Sequence, residues 1–230
     1  MVSSKCIIRI RKRFLSRLLR VVEKKPVLVV VAGPNGSGKT AITDILRGRH
    51  DWTQGLVEVN PDRIAQEEYG DWNDPSAILK AAERADAIRE KCLLERQGLL
   101  FETVLSTPGK VDFMRRAKEA GFFVRLVYVA TDNPEINVLR IAWRAARGGH
   151  DVPEDKIVAR YSRSLKLAVD AAQVADRAYF VDNSKDVENP EDVVDPFTVF
   201  RTADGTVAKE YVTFERMPSW TVPIYQALKV

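Results

Sequence analysis

The sequence predicts an α/β fold, a mostly parallel sheet flanked by helices, with a basic N-terminal helix ahead of it and a β-hairpin behind. Three observations carry that expectation. The run Val27-Leu28-Val29-Val30-Val31-Ala32 is continuously apolar and β-branched, which suits a strand covered on both faces. A glycine-rich turn over residues 33–39 separates that run from a helical segment. Further apolar runs then alternate with helical patterns as far as Asp182, the signature of strand–helix–strand units.

Taken in order, residues 5–25 come first. Ile7, Ile10, Phe14, Leu18 and Val21 recur at three- and four-residue steps, Ile8, Leu15, Leu19 and Val22 widen the stripe, and basic residues fill the other face. This predicts a basic amphipathic helix suited to a membrane surface, a nucleic acid or an acidic partner. A helix packed on the core with a solvated basic face, and upstream sequence that does not shape the folded body, are the plainer readings. Strand Val27 to Ala32 follows, then a helix over 40–48 and a short strand over 56–59. Asp74-Pro75 opens a long helix to about residue 97, with Leu79, Ala82, Ala85, Ala87, Ile88, Cys92 and Leu93 as its buried stripe. Residues 99–104 form the next strand. Pro108 opens a helix closed by Gly121, and 122–129 is again a strand. Asn133-Pro134 starts a helix to about 147, stopped by Gly148-Gly149, and Pro153 starts another to about 172. Residues 178–182 form the last core strand. Residues 197–214 read as a hairpin turning at Asp204-Gly205.

Composition narrows the class of protein. At 230 residues, 45% hydrophobic and 30% charged, the chain is not compositionally disordered, and it can bury a sizeable core. No stretch approaches ~18 uncharged apolar residues, so no membrane-spanning helix is expected. Two cysteines, Cys6 and Cys92, make neither a disulfide framework nor a four-thiolate zinc site, and a reducing, cytoplasmic location is the simplest expectation. The net charge of +4 is uneven. Residues 5–25 hold nine Lys/Arg and one Glu, a net of +8, whereas the rest holds 27 basic and 31 acidic residues, a net of −4. The basic excess therefore belongs to the arm and does not mark the body as a nucleic-acid binder.

Gly33-Pro34-Asn35-Gly36-Ser37-Gly38-Lys39-Thr40 fits G-x-x-x-x-G-K-[ST], between a predicted strand and a predicted helix. Glycines let backbone N–H groups turn in around phosphate oxygens, and the helix N-terminus adds a favourable dipole. Lys39 suits the β/γ-phosphates of ATP or GTP, and the Thr40 hydroxyl suits Mg²⁺. The fold is thus expected to be of the P-loop NTPase type. In such a sheet, ligands sit at the carboxyl ends of the strands, where three more segments should converge. Asn60-Pro61-Asp62 places a carboxylate just past a strand. It either accepts a proton from an attacking hydroxyl or caps the following helix. Phe101-Glu102-Thr103 ends an apolar strand in an acid that needs a cation, a metal or a ligand hydroxyl. No apolar run ending in Asp stands beside it, so Glu102 is the nearest substitute for a standard metal-supporting aspartate. Arg140, Arg144 and Arg147 are spaced along one helix face, with Arg160 and Arg163 on the next helix and Gly148-Gly149 between. That pattern predicts a helical lid over about 133–172 that closes on the transferred phosphoryl group. His150 reads as a turn or ligand contact, since no second His or Cys stands near it.

The phosphate loop, Asn60-Pro61-Asp62, Phe101-Glu102-Thr103 and Gly148-Gly149-His150-Asp151-Val152-Pro153-Glu154, followed by Arg160-Tyr161 and Ser164-Leu165, together resemble the zeta toxin family over about 26–185. The resemblance implies a P-loop kinase acting on a hydroxyl of a small molecule, UDP-N-acetylglucosamine in its best-known members. It implies Asp62 as base, Lys39 at the phosphates and Glu102 on the acceptor side, where Thr103, Asn60 and His150 are further candidates for substrate binding. Arg144 and Arg160 would be the lid arginines. It also implies a small antitoxin partner. On this reading the chain divides into a basic arm (1–25), a P-loop kinase domain (26–190) and a C-terminal extension (191–230). The lid departs from that of the toxins of established substrate, and neither the arm nor the hairpin belongs to the family pattern. Two other functions remain: a polynucleotide or RNA-repair kinase, which the basic arm favours and the acidic body opposes, and a nucleotide-binding interaction module tethered by its arm.

Overall fold

The structure, a computed structural model, describes residues 25–49, 53–70, 74–185 and 196–229. The predicted basic arm lies outside the described residues. The central strand is β1 (Val27–Ala32), whose side chains beyond Val27 are all buried. Leu28, Val30 and Ala32 face one hydrophobic cluster, and Val29 and Val31 face another on the opposite side of the sheet. Burial on both faces is why the run shows no polar alternation.

From β1 the chain runs through α1 (Lys39–Arg49), β2 (Val57–Val59), α2 (Pro61–Tyr69), α3 (Pro75–Leu94), β3 (Leu99–Thr103), α4 (Gly109–Glu119), β4 (Phe123–Ala130), α5 (Pro134–Ala145), α6 (Glu154–Val174) and β5 (Arg177–Asp182). It ends with β6 (Phe197–Ala203), β7 (Thr206–Glu210), a single 3₁₀ turn (Phe214–Arg216) and α7 (Thr221–Leu228). The sheet order is β2-β3-β1-β4-β5-β6-β7. The first five strands in that order are parallel and the last two antiparallel. This is the mostly parallel, helix-flanked sheet of the sequence reading. Among the described residues no helix is long and apolar enough to cross a membrane.

The C-terminal part differs from expectation in two ways. The hairpin turns at Asp204-Gly205, both at positive φ (48° and 81°), and extends the central sheet by pairing β6 against β5. Its second strand stops at Glu210 rather than at 214. A helix, α7, follows that no periodicity announced, because it is eight residues long and carries Pro223. It buries Ile224, Tyr225 and Leu228, and Trp220 just before it is buried too. Trp220 packs at 5.8 Å on Tyr128 and donates its indole N–H to Asp182 Oδ1 at 2.7 Å.

The long helix α3 also differs. Its buried positions are Ala77, Ala81, Ala85, Arg89 and Cys92, whereas Leu79, placed on the predicted stripe, is 62% exposed. The true stripe runs through small alanines that admit close packing and through one arginine, a residue that hydrophobicity patterns score as surface.

Candidate active site

The phosphate loop bridges β1 and α1. Gly33 donates its N–H to the Thr103 carbonyl at 3.1 Å, joining the loop to the end of β3. At Gly33 an added Cβ would stand 1.9 Å from the Val129 carbonyl oxygen, and at Gly36, with φ of 76°, 2.6 Å from that of Asn137. The neighbouring chain thus passes where only hydrogen fits, and glycine is required. Asn183 Nδ2 donates to the Ser37 carbonyl at 2.9 Å and fastens the loop from the β5 side. Asn35 Oδ1 and Ser37 Oγ are buried with no hydrogen-bond partner.

A cavity of about 630 Å³ opens beside this loop. Asn35, Gly36, Gly38, Lys39 and Thr40 line it from the loop, whereas Gly33, Pro34 and Ser37 are buried and do not line it. Lys39 Nζ donates to the Pro34 carbonyl at 2.8 Å. Burial lowers the Lys39 ammonium to about 8, an effect that the charges of Glu102 and Asp62 oppose and that of Arg144 assists.

The parallel register Val31↔Glu102 and Ala32↔Thr103 carries the end of β3 to the start of the loop. Glu102 Oε2 accepts from the Thr40 hydroxyl at 3.0 Å, and Glu102 Oε1 is buried with no hydrogen-bond partner. Burial pushes the Glu102 carboxyl above its ordinary range, against the pull of the Thr43 and Thr40 hydroxyls and the Lys39 charge. These atoms fit Mg²⁺. The donors are hard oxygens, one of them an orphaned carboxylate oxygen, and the ion takes few protein ligands when phosphates supply the rest. No group of three His, Cys, Asp or Glu able to hold a metal occurs among the described residues.

Asn60, not Asp62, caps α2: its Oδ1 accepts from the backbone N–H groups of Asp62 and Arg63 at 3.0 and 3.3 Å. Its acceptor is therefore engaged in holding the helix, although the residue still lines the cavity. Asp62 is released from capping. It is exposed, lines the same cavity, and its charge is felt at Lys39 and at Arg144. Thr103 also faces the cavity, with its hydroxyl accepting from the Leu105 N–H at 3.1 Å in a local turn.

Of the five arginines in the predicted lid, three reach the cavity: Arg140 and Arg144 from α5, and Arg160 from α6. Arg147 falls beyond the last residue of α5 and lies 3.4 Å over the Trp143 ring, while Arg163 turns back to the Ala159 carbonyl. Arg144 donates through Nε and Nη2 to the His150 carbonyl at 3.1 and 2.7 Å, which folds the Gly148-Gly149 turn back against α5. Burial lowers the Arg144 guanidinium below its ordinary range, against the charges of Asp62 and Asp151. Helix α6 is built into the core. Ile157, Tyr161, Ser164, Ala168, Ala171 and Ala172 are buried, Ser164 donates to the Val104 carbonyl at 2.7 Å, and the Tyr161 hydroxyl donates to the Thr131 carbonyl.

The sequence reading missed one group. Asp86 and Arg89 from α3, and Lys110 from α4, line the cavity with Ser106 and Thr107. The available signal was a charged residue four positions after Ala85 on a helix otherwise rich in alanine.

A family model described as Zeta toxin matches residues 15–194. An uncharacterized protein of Haemophilus influenzae is 31% identical over 143 residues, covering 62% of this chain and 96% of that protein. Two solved structures show the same fold at low identity. One is from the PezAT chromosomal toxin-antitoxin system of Streptococcus pneumoniae, with TM-score 0.56 and 19% identity over the whole of this chain and 89% of that one. The other is AvrRxo1-ORF1:-ORF2 with ATP, with TM-score 0.59 and 17% identity over 84% of this chain and 63% of that one.

Proposed function

The chain belongs to the zeta toxin family, and on that premise we propose that it is a kinase that moves the γ-phosphoryl group of ATP or GTP to a hydroxyl of a small molecule, with a nucleotide sugar such as UDP-N-acetylglucosamine as the favoured acceptor. The observation that supports this most is the shared cavity of Lys39 and Asp62, an anion cradle and a carboxylate free of capping duty.

In this reading the triphosphate lies along the loop with its tail against Lys39. Asp62 accepts the proton of the acceptor hydroxyl as the oxygen attacks the γ-phosphorus. The new O–P bond forms while the bond to the β-phosphate oxygen breaks, and the nucleoside diphosphate departs. Lys39, Arg144 and Arg160 stabilise charge on the transferred group, and such preorganised cations act without reorganising in the transition state. Mg²⁺, when bound, neutralises the β/γ-oxygens, and Thr40 and Glu102 would hold it. A small antitoxin that blocks the nucleotide side is the protein partner this family membership suggests.

The test is transfer from labelled ATP in the presence of Mg²⁺, with nucleotide sugars and a 5′-hydroxyl RNA oligonucleotide as parallel acceptors. Asp62→Asn should lower kcat by roughly 10²–10⁴ with ATP binding retained, whereas Lys39→Met should weaken ATP binding itself. Full activity in Asp62→Asn would remove the base assignment. Transfer to the RNA alone would replace the small-molecule reading with polynucleotide phosphorylation.

A further inference from the structure

One wall of the cavity carries charge that the transfer just described does not use. Arg89 is 3% exposed, lies 5.2 Å over the Phe101 ring, and forms an ion pair with Asp86 one helical turn earlier. Lys110, in the first turn of α4, reaches the same Asp86 oxygen at 2.9 Å. Two cations therefore share one carboxylate, and among the described residues neither has a second acidic partner. The Asp86 side chain is itself 61% exposed, so water screens it and it offsets little of the cost of burying a guanidinium. Arg89 has five N–H donors, and among the described residues only Nη2 has a hydrogen-bond acceptor. Hydrogen bonds and charge from Lys110 and Arg89 hold the Asp86 carboxyl below its ordinary range although partial desolvation pushes it up, and two basic side chains against one carboxylate leave one positive charge in excess.

Topology places this trio. Asp62 lies in the first turn of α2, which packs against α3, the helix that carries Asp86 and Arg89, and Lys110 reaches Asp86 from the start of α4. Arg140, Arg144 and Arg160 come from the elements after β4, on the other side of β1.

We propose that Arg89 and Lys110 form an anion subsite for the acceptor, so that the substrate is an alcohol that also carries a phosphate, diphosphate or carboxylate group. A guanidinium fork and an ammonium on one oxyanion give charge-assisted hydrogen bonds with fixed geometry. Asp86 bridges the two cations through one oxygen. The acceptor is then held at two points, its hydroxyl at Asp62 and its anion at Arg89 and Lys110. This inference rests on the kinase reading above.

Three probes separate the cases: UDP-N-acetylglucosamine, N-acetylglucosamine 1-phosphate and neutral N-acetylglucosamine. We expect kcat/KM for the better anionic probe to exceed that of the neutral sugar by about 100-fold or more. Arg89→Gln and Lys110→Met should each raise KM for the anionic probe about tenfold or more, with the KM for ATP unchanged, and Arg89→Lys should recover part of the loss. A neutral sugar used as well as the anionic ones, or normal acceptor KM in both variants, would overturn the subsite. Lys110 is surface-accessible, so its variant remains informative if Arg89→Gln fails to fold. Calorimetric titration of the same probes into the full chain, saturated with a non-hydrolysable ATP analogue, reads the subsite without chemistry. Probe binding weakened by Lys110→Met together with absent transfer would refute the kinase reading and keep the subsite. Transfer together with no preference for an anionic probe would do the reverse. If none of the anionic probes binds more tightly than the neutral sugar, the subsite is refuted whatever the transfer assay shows.

Discussion

The hydroxyl of Thr40 lies 3.0 Å from Glu102 Oε2, so the first turn of α1 and the last residues of β3 meet although 62 positions separate them in the chain. Parallel pairing of β1 with β3 brings them together, and the buried second oxygen of Glu102 is left without a hydrogen-bond donor. Replacing that oxygen by an amide keeps an acceptor for Thr40 and removes the charge. Glu102→Gln is therefore expected to fold normally and to need several-fold more Mg²⁺ for half-maximal activity, with kcat reduced by roughly 10²-fold. Titrating Mg²⁺ at fixed ATP checks this, and an unchanged Mg²⁺ requirement would place the metal elsewhere.

Lys39 sets a dependence on pH. Its folded value of about 8 lies below the ordinary lysine value of 10.5. Between those two values the unfolded chain binds the proton that the folded chain has released, so this group makes stability rise with pH across that window. ATP affinity should move the opposite way and fall above pH about 8, because the neutral amine no longer attracts the triphosphate. Lys39→Met should flatten both trends. Chemical denaturation and nucleotide titration at pH 7, 8, 9 and 10 measure them.

Gly149 controls Arg144. A Cβ at Gly149 would stand 2.6 Å from Arg144 Cγ and 3.0 Å from the Arg144 carbonyl oxygen. Gly149→Ala must displace the arginine or the turn that holds it, and displaced charge at a transferring phosphoryl group costs rate rather than binding. The expected result is a fall in kcat of about tenfold or more with ATP affinity nearly unchanged. Equal kcat in the two proteins would show that the Gly149 turn does not set the position of Arg144 in the transition state.

Trp220 fastens the C-terminal helix to the strand end behind the phosphate loop through its bond to Asp182. Trp220→Phe keeps much of the packing against Tyr128 and removes the indole donor. The Ser184 hydroxyl still donates to the same carboxylate oxygen at 2.6 Å, so the loss should be moderate. A destabilisation of about 1–3 kcal/mol is expected, read as a fall of several degrees in Tm. An unchanged melting curve would mean that the C-terminal helix is not coupled to the sheet through this bond.

Local chemistry made part of this molecule legible before any coordinates. The phosphate loop is written in consecutive residues, each constrained by a turn that only glycine permits or by the helix start that follows. The parallel strands are written as unbroken apolar runs, because both faces of the sheet are covered. Asp62 and Glu102 were legible because an acid at a strand end stands out against such runs.

Arg89, the choice among the lid arginines and the C-terminal helix were not legible, for reasons that differ. Arg89 occupies a core position of α3, and a pattern built on hydrophobicity assigns such a residue to solvent. Arg140, Arg144 and Arg147 look equivalent at helical spacing, until the actual end of α5 leaves Arg147 beyond it, stacked on Trp143. Helix α7 has too few residues to show a period, and it forms because β6, α6 and Trp220 offer it a surface to cover. The amino-acid sequence by itself thus determined that a phosphate loop and a succession of strand–helix units are present, since those signals lie among residues a few positions apart. Which charges face the cavity was decided only by tertiary packing, since the direction a helix face takes depends on contacts tens of residues away.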